Sequence, residues 1–322
     1  MSSLRKAVIT AAGRGTRQYP ATSVVQKEML PLVDRDGITK PAVQIIAEEA
    51  FEAGIEEICI VVSPGDEQHF RQHFRAIAQD ILPAFVGKEW ALRESEKLAR
   101  MEQGLTYAVQ HAPEGFGHAV FQSREFVGSE PFLLLLGDHI YISQTDDRCA
   151  SQLVSAYDAN NADVISAVKR TPSTQLHLFG TIRGLPIGDS DRLYSVAAIE
   201  EKPSVDHAMK HLVTPGLPTG QFLCHFGMHV FSPAIFDCLE RLIRDDIRSR
   251  GEIQLTSAQQ LLLTGACSYY CCEVSGERYD TGVPFGLMEA QLALALSGMY
   301  RHDIVESVAR LLAQQLRSIA AR

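Results

Sequence analysis

Between Lys6 and Lys169 the chain alternates short apolar runs with helix-periodic segments, and this alternation constrains the fold most. Lys6–Thr10 (KAVIT), Ile55–Val62, Leu105–Gln110, Phe132–Leu136 (FLLLL) and Asp163–Lys169 read as strands. Phe132–Leu136 has no polar alternation, as expected of a central parallel strand covered on both faces. Pro41–Ala53, closed by Gly54, then Asp66–Ile81, Trp90–Met101 and His118–Phe126 read as helices. Strand, helix and strand in repetition imply right-handed crossovers and an open parallel sheet.

From about Phe179 the pattern becomes richer in strands: Gly180–Arg183, Tyr194–Glu200, Phe226–Phe231 and Ser268–Val274. Helices return at Pro233–Arg244 and Gln254–Leu263. The tail Asp303–Ile319 places Ile304, Val308, Leu311, Leu312, Leu316 and Ile319 at helical spacing, a stripe expected to enter the core rather than meet a partner. The 322 residues would make roughly two domains at about 150 residues each. No repeat, low-complexity stretch or Pro-rich linker divides them, so one unit over residues 1–300 and a C-terminal helix over 301–322 are expected.

Thirty Lys and Arg against 39 Asp and Glu give a net charge of −9. That balance argues against coating nucleic acid or adhering to membrane by basic charge. It leaves room for a small anionic substrate, because a pocket can be locally positive inside an acidic protein. Seven cysteines without a Cys-x-x-Cys pair, mostly in apolar runs, read as reduced buried thiols. The N-terminus enters its first strand without a signal-peptide apolar region, and no stretch approaches the ~20 apolar residues that span a bilayer. A cytoplasmic location is expected.

Directly after the first strand comes Ala11-Ala12-Gly13-Arg14-Gly15-Thr16-Arg17. Small residues admit a ligand close to the backbone, and successive N–H groups in such a turn can face a phosphate. The loop lacks the third glycine of the dinucleotide fingerprint, where Gln18 stands, and the Gly-Lys-Ser/Thr of a P-loop. Alone it is equally a tight turn. Asp138 ends the apolar strand, where ligands of open α/β sheets gather. A carboxylate there suits Mg²⁺, and equally a turn start. Asp280-Thr281-Gly282 spells an aspartic-protease triplet, but that chemistry needs a second triplet or a short homodimeric all-β chain. His69/His73, His207/His211 and His225/His229 have metal-ligand spacing without a zincin pattern, so surface or core roles are expected.

The glycine loop followed by Lys27-Glu28-Met29-Leu30-Pro31-Leu32 resembles the opening of the sugar-1-phosphate nucleotidylyltransferases. The similarity continues in order through Gln110, Gly115-Phe116-Gly117-His118-Ala119-Val120, Leu136-Gly137-Asp138, Glu200-Glu201-Lys202-Pro203, Gly251-Glu252-Ile253-Gln254-Leu255-Thr256 and Tyr279-Asp280-Thr281-Gly282. The wording is nearest to the bacterial uridylyltransferases that use UTP and glucose 1-phosphate. The resemblance implies a Rossmann-like α/β fold with a mixed, mostly parallel central sheet flanked by helices. It also implies a nucleotide-binding half over residues 1–170 and a sugar-binding half over 171–300.

What the resemblance implies for the site is specific. Arg17 and Lys27 would face the triphosphate and the transferring phosphate, and Asp138 and Asp280 would hold Mg²⁺. Ala11, Ala12 and Gly13 would pack on the base with Gly15 and Thr16 on the nucleotide, while Gln110 and Gly117 would hydrogen-bond the uracil edge. Glu201 would accept from sugar hydroxyls, Gly180 would touch the sugar through its backbone, and Lys202 would meet the sugar phosphate. A homodimer or homotetramer is expected too.

Two departures touch the sugar side. Arg35-Asp36-Gly37-Ile38-Thr39 separates Val33-Asp34 from Lys40-Pro41, and the segment before Phe226-Gly227-Met228-His229 differs from the usual Gly-Arg-Tyr-like strand. Another sugar 1-phosphate or dTTP therefore stays open, as does a silent regulatory paralogue, although a silent copy has no need to keep Lys27, Asp138 and Asp280.

Overall fold

The structure is a computed structural model describing residues 4–320 except Asn161, Asp189 and Ala266. It opens with β1 (Lys6–Ala11), a hairpin of β2 (Pro31–Val33) and β3 (Thr39–Pro41), then α1 (Ala42–Glu52), β4 (Glu57–Val62), α2 (Glu67–His73), α3 (Glu89–Gln103) and β5 (Leu105–Val109). There follow α4 (Phe116–Phe121), α5 (Arg124–Val127), β6 (Phe132–Leu136), β7 (His139–Ser143), α6 (Cys149–Asn160), β8 (Val164–Pro172), β9 (Gly180–Pro186), β10 (Leu193–Glu201) and α7 (Val205–His211). The chain ends with β11 (Gln221–Phe231), α8 (Ala234–Arg244), α9 (Leu255–Leu263), β12 (Tyr269–Glu273), β13 (Gly276–Asp280), α10 (Pro284–Ser297) and α11 (Arg301–Ala320).

Nine strands form one sheet in the order β5-β4-β1-β6-β11-β8-β12-β10-β9. The first four run parallel, which is the expected βαβ part. β11 then lies antiparallel between β6 and β8 and joins the two halves. Beyond it β12 is parallel to β8, while β10 is antiparallel to β12 and β9. β9 also returns to β11 at Leu223–Ile182 and Cys224–Thr181, so the second half of the sheet closes on itself.

The parallel strands are covered on both faces, as the uninterrupted apolar run requires. Ala7, Ile9, Leu133 and Leu135 enter one core with α1 and α6, while Val8, Phe132 and Leu134 enter the other with α8 and α9. α8 buries Ile235, Phe236, Leu239 and Leu242, an apolar stripe at helical spacing. β11 carries an irregularity between His225 and His229, and Gly227 within it has φ 92°, a left-handed value suited to glycine. Tyr141 Oη donates to the Gly227 carbonyl at 2.8 Å and holds that kink.

Three expectations are corrected. The helix expected over Asp66–Ile81 stops at His73, because beyond buried Phe74 no side chain enters the core and Ile77 N–H donates to Ser95 Oγ at 2.8 Å instead. His118–Phe126 is two short helices, broken where Ser123 Oγ donates back to the Val120 carbonyl. The C-terminal stripe does not enter the core. Leu311, Leu312, Leu316 and Ile319 are all more than half exposed on α11, since α11 reaches past the body of the fold beyond α10. No described helix is long and apolar enough to cross a membrane.

Candidate active site

The turn after β1 is held against the Lys27 segment. A Cβ on Gly13 would stand 3.0 Å from Lys27 Nζ, and Thr22 Oγ1 donates to the Gly15 carbonyl at 2.8 Å. Ala11 and Ala12 are buried, Thr16 and Arg17 open a short turn, and Arg14 is exposed without joining the cluster. Gln18 Nε2 donates to the Thr281 carbonyl at 2.7 Å, tying this loop to the distant Asp280 segment.

Asp138 follows β6 directly. β7 and β13 then pair antiparallel with His139 opposite Asp280, and this pairing carries Asp280 across to Asp138. Thr281 N and Oγ1 both donate to the Asp138 carbonyl, at 2.8 and 2.9 Å. The two carboxylates converge: a Cβ on Gly282 would lie 2.9 Å from Asp138 Oδ2, 2.9 Å from Asp280 Oδ1 and 3.2 Å from Arg17 Nη2. Asp138, His139 and Asp280 each offer one ligand atom, and these atoms lie within 4.8 Å of one another. Two hard oxygens around a space kept clear by a missing Cβ fit a divalent cation that also takes phosphate oxygens and water.

The cations are placed to match. Lys27 Nζ sits 2.5 Å from Asp138 Oδ2 and 3.5 Å from Glu28 Oε1, with both Lys27 and Glu28 buried. Burial works against the Lys27 charge, but Asp138 and Glu28 overcome it and raise its pKa. Burial likewise opposes ionisation of Asp138, yet the His139 hydrogen bond and charge, with Lys27, hold it well below the usual carboxylate range. Glu28 goes the other way: burial pushes its pKa up to about 8, only partly offset by Lys27. Neither of its oxygens has a hydrogen-bond partner. Arg17 Nη1 lies 3.7 Å from Asp280 Oδ2 and is largely exposed.

A second group forms where β9 and β10 pair. Gly180 pairs with Glu201 across β9 and β10, and a Cβ on Gly180 would lie 3.1 Å from Glu201 Oε2. Thr256 Oγ1 donates to the same oxygen at 2.7 Å, and Lys202 Nζ is 3.8 Å from Glu201 Oε1. Lys202 takes a left-handed backbone, φ 48°, and its N–H donates to the Phe179 carbonyl. His225 borders Gly180, and neither of its ring nitrogens has a partner. Burial, with Arg278 nearby, lowers the His225 pKa to about 3, so the ring is neutral.

A third group lies at the end of β5. Gln110 is buried, and its Nε2 contacts the Gly115 carbonyl at 3.1 Å and His118 Nδ1 at 3.0 Å. Gly117 belongs to the same group. Its N–H already donates to the Ile253 carbonyl at 2.9 Å, and a Cβ there would strike that oxygen and Leu239. Its N–H is not a free donor for a base edge; the residue keeps α4 close to the 253–254 segment.

Sequence reasoning gave no site role to Glu28, His139, His225, Thr256, Arg278 and Gly282. Several flank residues it had chosen: Glu28 follows Lys27, His139 follows Asp138, and Gly282 closes Asp280-Thr281-Gly282. The paired histidines resolve into other settings. His207 and His211 meet on α7 with tilted rings, centroids 4.6 Å apart, while His229 is buried in β11 and bonded to Ser166.

Known proteins resemble this chain over most of its length. Residues 6–296 match the nucleotidyl transferase family. A UTP–glucose-1-phosphate uridylyltransferase of Staphylococcus saprophyticus is 34% identical, covering 95% of this chain and 98% of its own. That of Bacillus subtilis is 35% identical, covering 94% and 95%. The crystal structure of a UDP-glucose pyrophosphorylase complexed with UDP-glucose superposes with a TM-score of 0.72 at 27% identity, covering 90% of this chain and 98% of that one. The chain belongs to the nucleotidyl transferase family.

Proposed function

We propose that this chain transfers a uridylyl group from UTP to glucose 1-phosphate, releasing pyrophosphate and forming UDP-glucose. The observation that carries the reading is the convergence of Asp138, Asp280 and Arg17 beside Gly282, with Lys27 against Asp138. The names of the near full-length relatives supply the substrates.

The chemistry needs no general base. A phosphate monoester loses its second proton near pH 6, so the sugar phosphate is already an anionic nucleophile at neutral pH. What remains is to hold two anions in line and to neutralise charge as pyrophosphate departs. Asp138 and Asp280 would hold Mg²⁺, which would supply charge neutralisation for the phosphates. Lys27 and Arg17 face the triphosphate, with Ala11, Ala12, Gly13, Gly15 and Thr16 along the nucleotide and Gln110 toward the base. Glu201 and Gly180 receive the sugar and Lys202 its phosphate. On this reading residues 1–170 handle the nucleotide and 171–300 the sugar, in the cytoplasm.

We also propose a homodimer or homotetramer. The exposed apolar face of α11, together with Phe285 and Met288 of α10, supports it.

The test is pyrophosphate release over four nucleoside triphosphates crossed with several sugar 1-phosphates. UTP with glucose 1-phosphate should give the highest kcat/KM. A higher value with dTTP or another sugar would move the specificity, and no release with any pair would overturn the reading in favour of a regulatory binding protein.

A further inference from the structure

Arg278 stands in β13 two residues before Asp280, so the two side chains leave the same face of the strand. Its guanidinium carbon Cζ lies over the Phe179 ring, 3.9 Å from the centroid, with the Phe226 centroid at 5.7 Å. No carboxylate forms an ion pair with it among the described residues; neighbouring Glu277 pairs with Lys169 instead. Burial lowers the Arg278 pKa to about 10, which still leaves it cationic at neutral pH. A desolvated cation without a counter-ion is costly, and a site that keeps one is prepared for an anion.

Its position says which anion. Phe179, beneath the guanidinium, accepts the Lys202 N–H on its carbonyl and precedes Gly180, which adjoins Glu201. Arg278 therefore lies between the acidic pair of Asp138 and Asp280 and the residues of the sugar side. A sugar phosphate has to occupy that interval, because its oxygen must reach a phosphorus at the acidic pair while its ring rests by Glu201. The aromatic contact holds the guanidinium without using a carboxylate, and its N–H groups can pair with two phosphate oxygens.

We propose that Arg278 binds the phosphate of the sugar 1-phosphate through its guanidinium N–H groups, with Phe179 and Phe226 fixing its orientation. This assignment rests on the uridylyl-transfer reading. It adds a second cation to Lys202, and unlike Lys202 it is pre-ordered in the fold by its aromatic contacts.

Steady-state kinetics on Arg278→Met and Arg278→Lys decide it. Arg278→Met should raise the KM for glucose 1-phosphate at least about tenfold, the effect of losing a charge-assisted pair, and leave the KM for UTP within about twofold. Arg278→Lys, which keeps the charge but not the fork, should recover part of the loss. Equal KM values in wild type and Arg278→Lys, or a rise confined to UTP, would overturn the assignment even if Arg278→Met fails to fold. Should the wild type release no pyrophosphate from UTP and glucose 1-phosphate, the substrate reading fails instead. Calorimetry with inorganic phosphate then judges Arg278 alone: weaker binding to Arg278→Lys than to wild type supports it, and equal affinity overturns it.

Discussion

Lys27 and Asp138, 111 residues apart in sequence, meet at 2.5 Å beneath the glycine loop. The pair is buried, and each member stabilises the charged form of the other. Both therefore stay charged, and the cleft presents a carboxylate beside an ammonium. Removing one member leaves the other as an uncompensated buried charge.

Glu28 makes the stability of the ligand-free protein depend on pH. Its folded pKa of about 8 stands above the ordinary carboxylate value, so the folded state holds a proton that the unfolded state releases. Its contribution is complete below about pH 4.5 and is lost as pH rises through about 8. Glu28→Gln removes this dependence. Measured by thermal melts in chelator, its Tm relative to wild type should climb between pH 5 and pH 9, by the equivalent of a few kcal/mol at most. A difference that stays constant with pH would contradict the buried, protonated carboxyl.

Gly282→Ala places a methyl group where two carboxylate oxygens and Arg17 converge. Gly282 needs no left-handed backbone, so the fold should keep its Tm within a few degrees. Pyrophosphate release should fall by at least about tenfold, because the methyl takes the space of the cation and its oxygen ligands. Unchanged activity would mean that the space beside Gly282 is not used.

Leu312→Glu with Leu316→Glu tests the exposed stripe of α11. If copies of the chain meet there, sedimentation of the double variant should show a smaller particle than wild type while monomer helicity is retained. Identical sedimentation would remove α11 from any interface.

The parallel half of the fold was legible because each strand is buried on both faces and so declares itself locally; Phe132–Leu136 ends in the structure where its apolar run ends. β7 and β13 gave no such signal. They are short, partly polar and pair only with each other across a long stretch of chain, yet their register is what brings Asp280 to Asp138. Periodicity on α11 showed that one face is apolar and could not show what covers it. The glycine loop, Lys27 and the two aspartates were found by their order along the chain. Arg278 was not, because its meaning comes from Phe179 and Phe226, which approach it only in the folded molecule.

On the proposed reading, Asp138 and Asp280 together hold the cation on which uridylyl transfer depends. Pyrophosphate release by Asp138→Asn, titrated with Mg²⁺ against UTP and glucose 1-phosphate, tests it most directly. Activity should fall by at least about a hundredfold at ordinary Mg²⁺, with circular dichroism unchanged and a partial return as Mg²⁺ is raised. Activity near the wild-type level with the same Mg²⁺ dependence would contradict it.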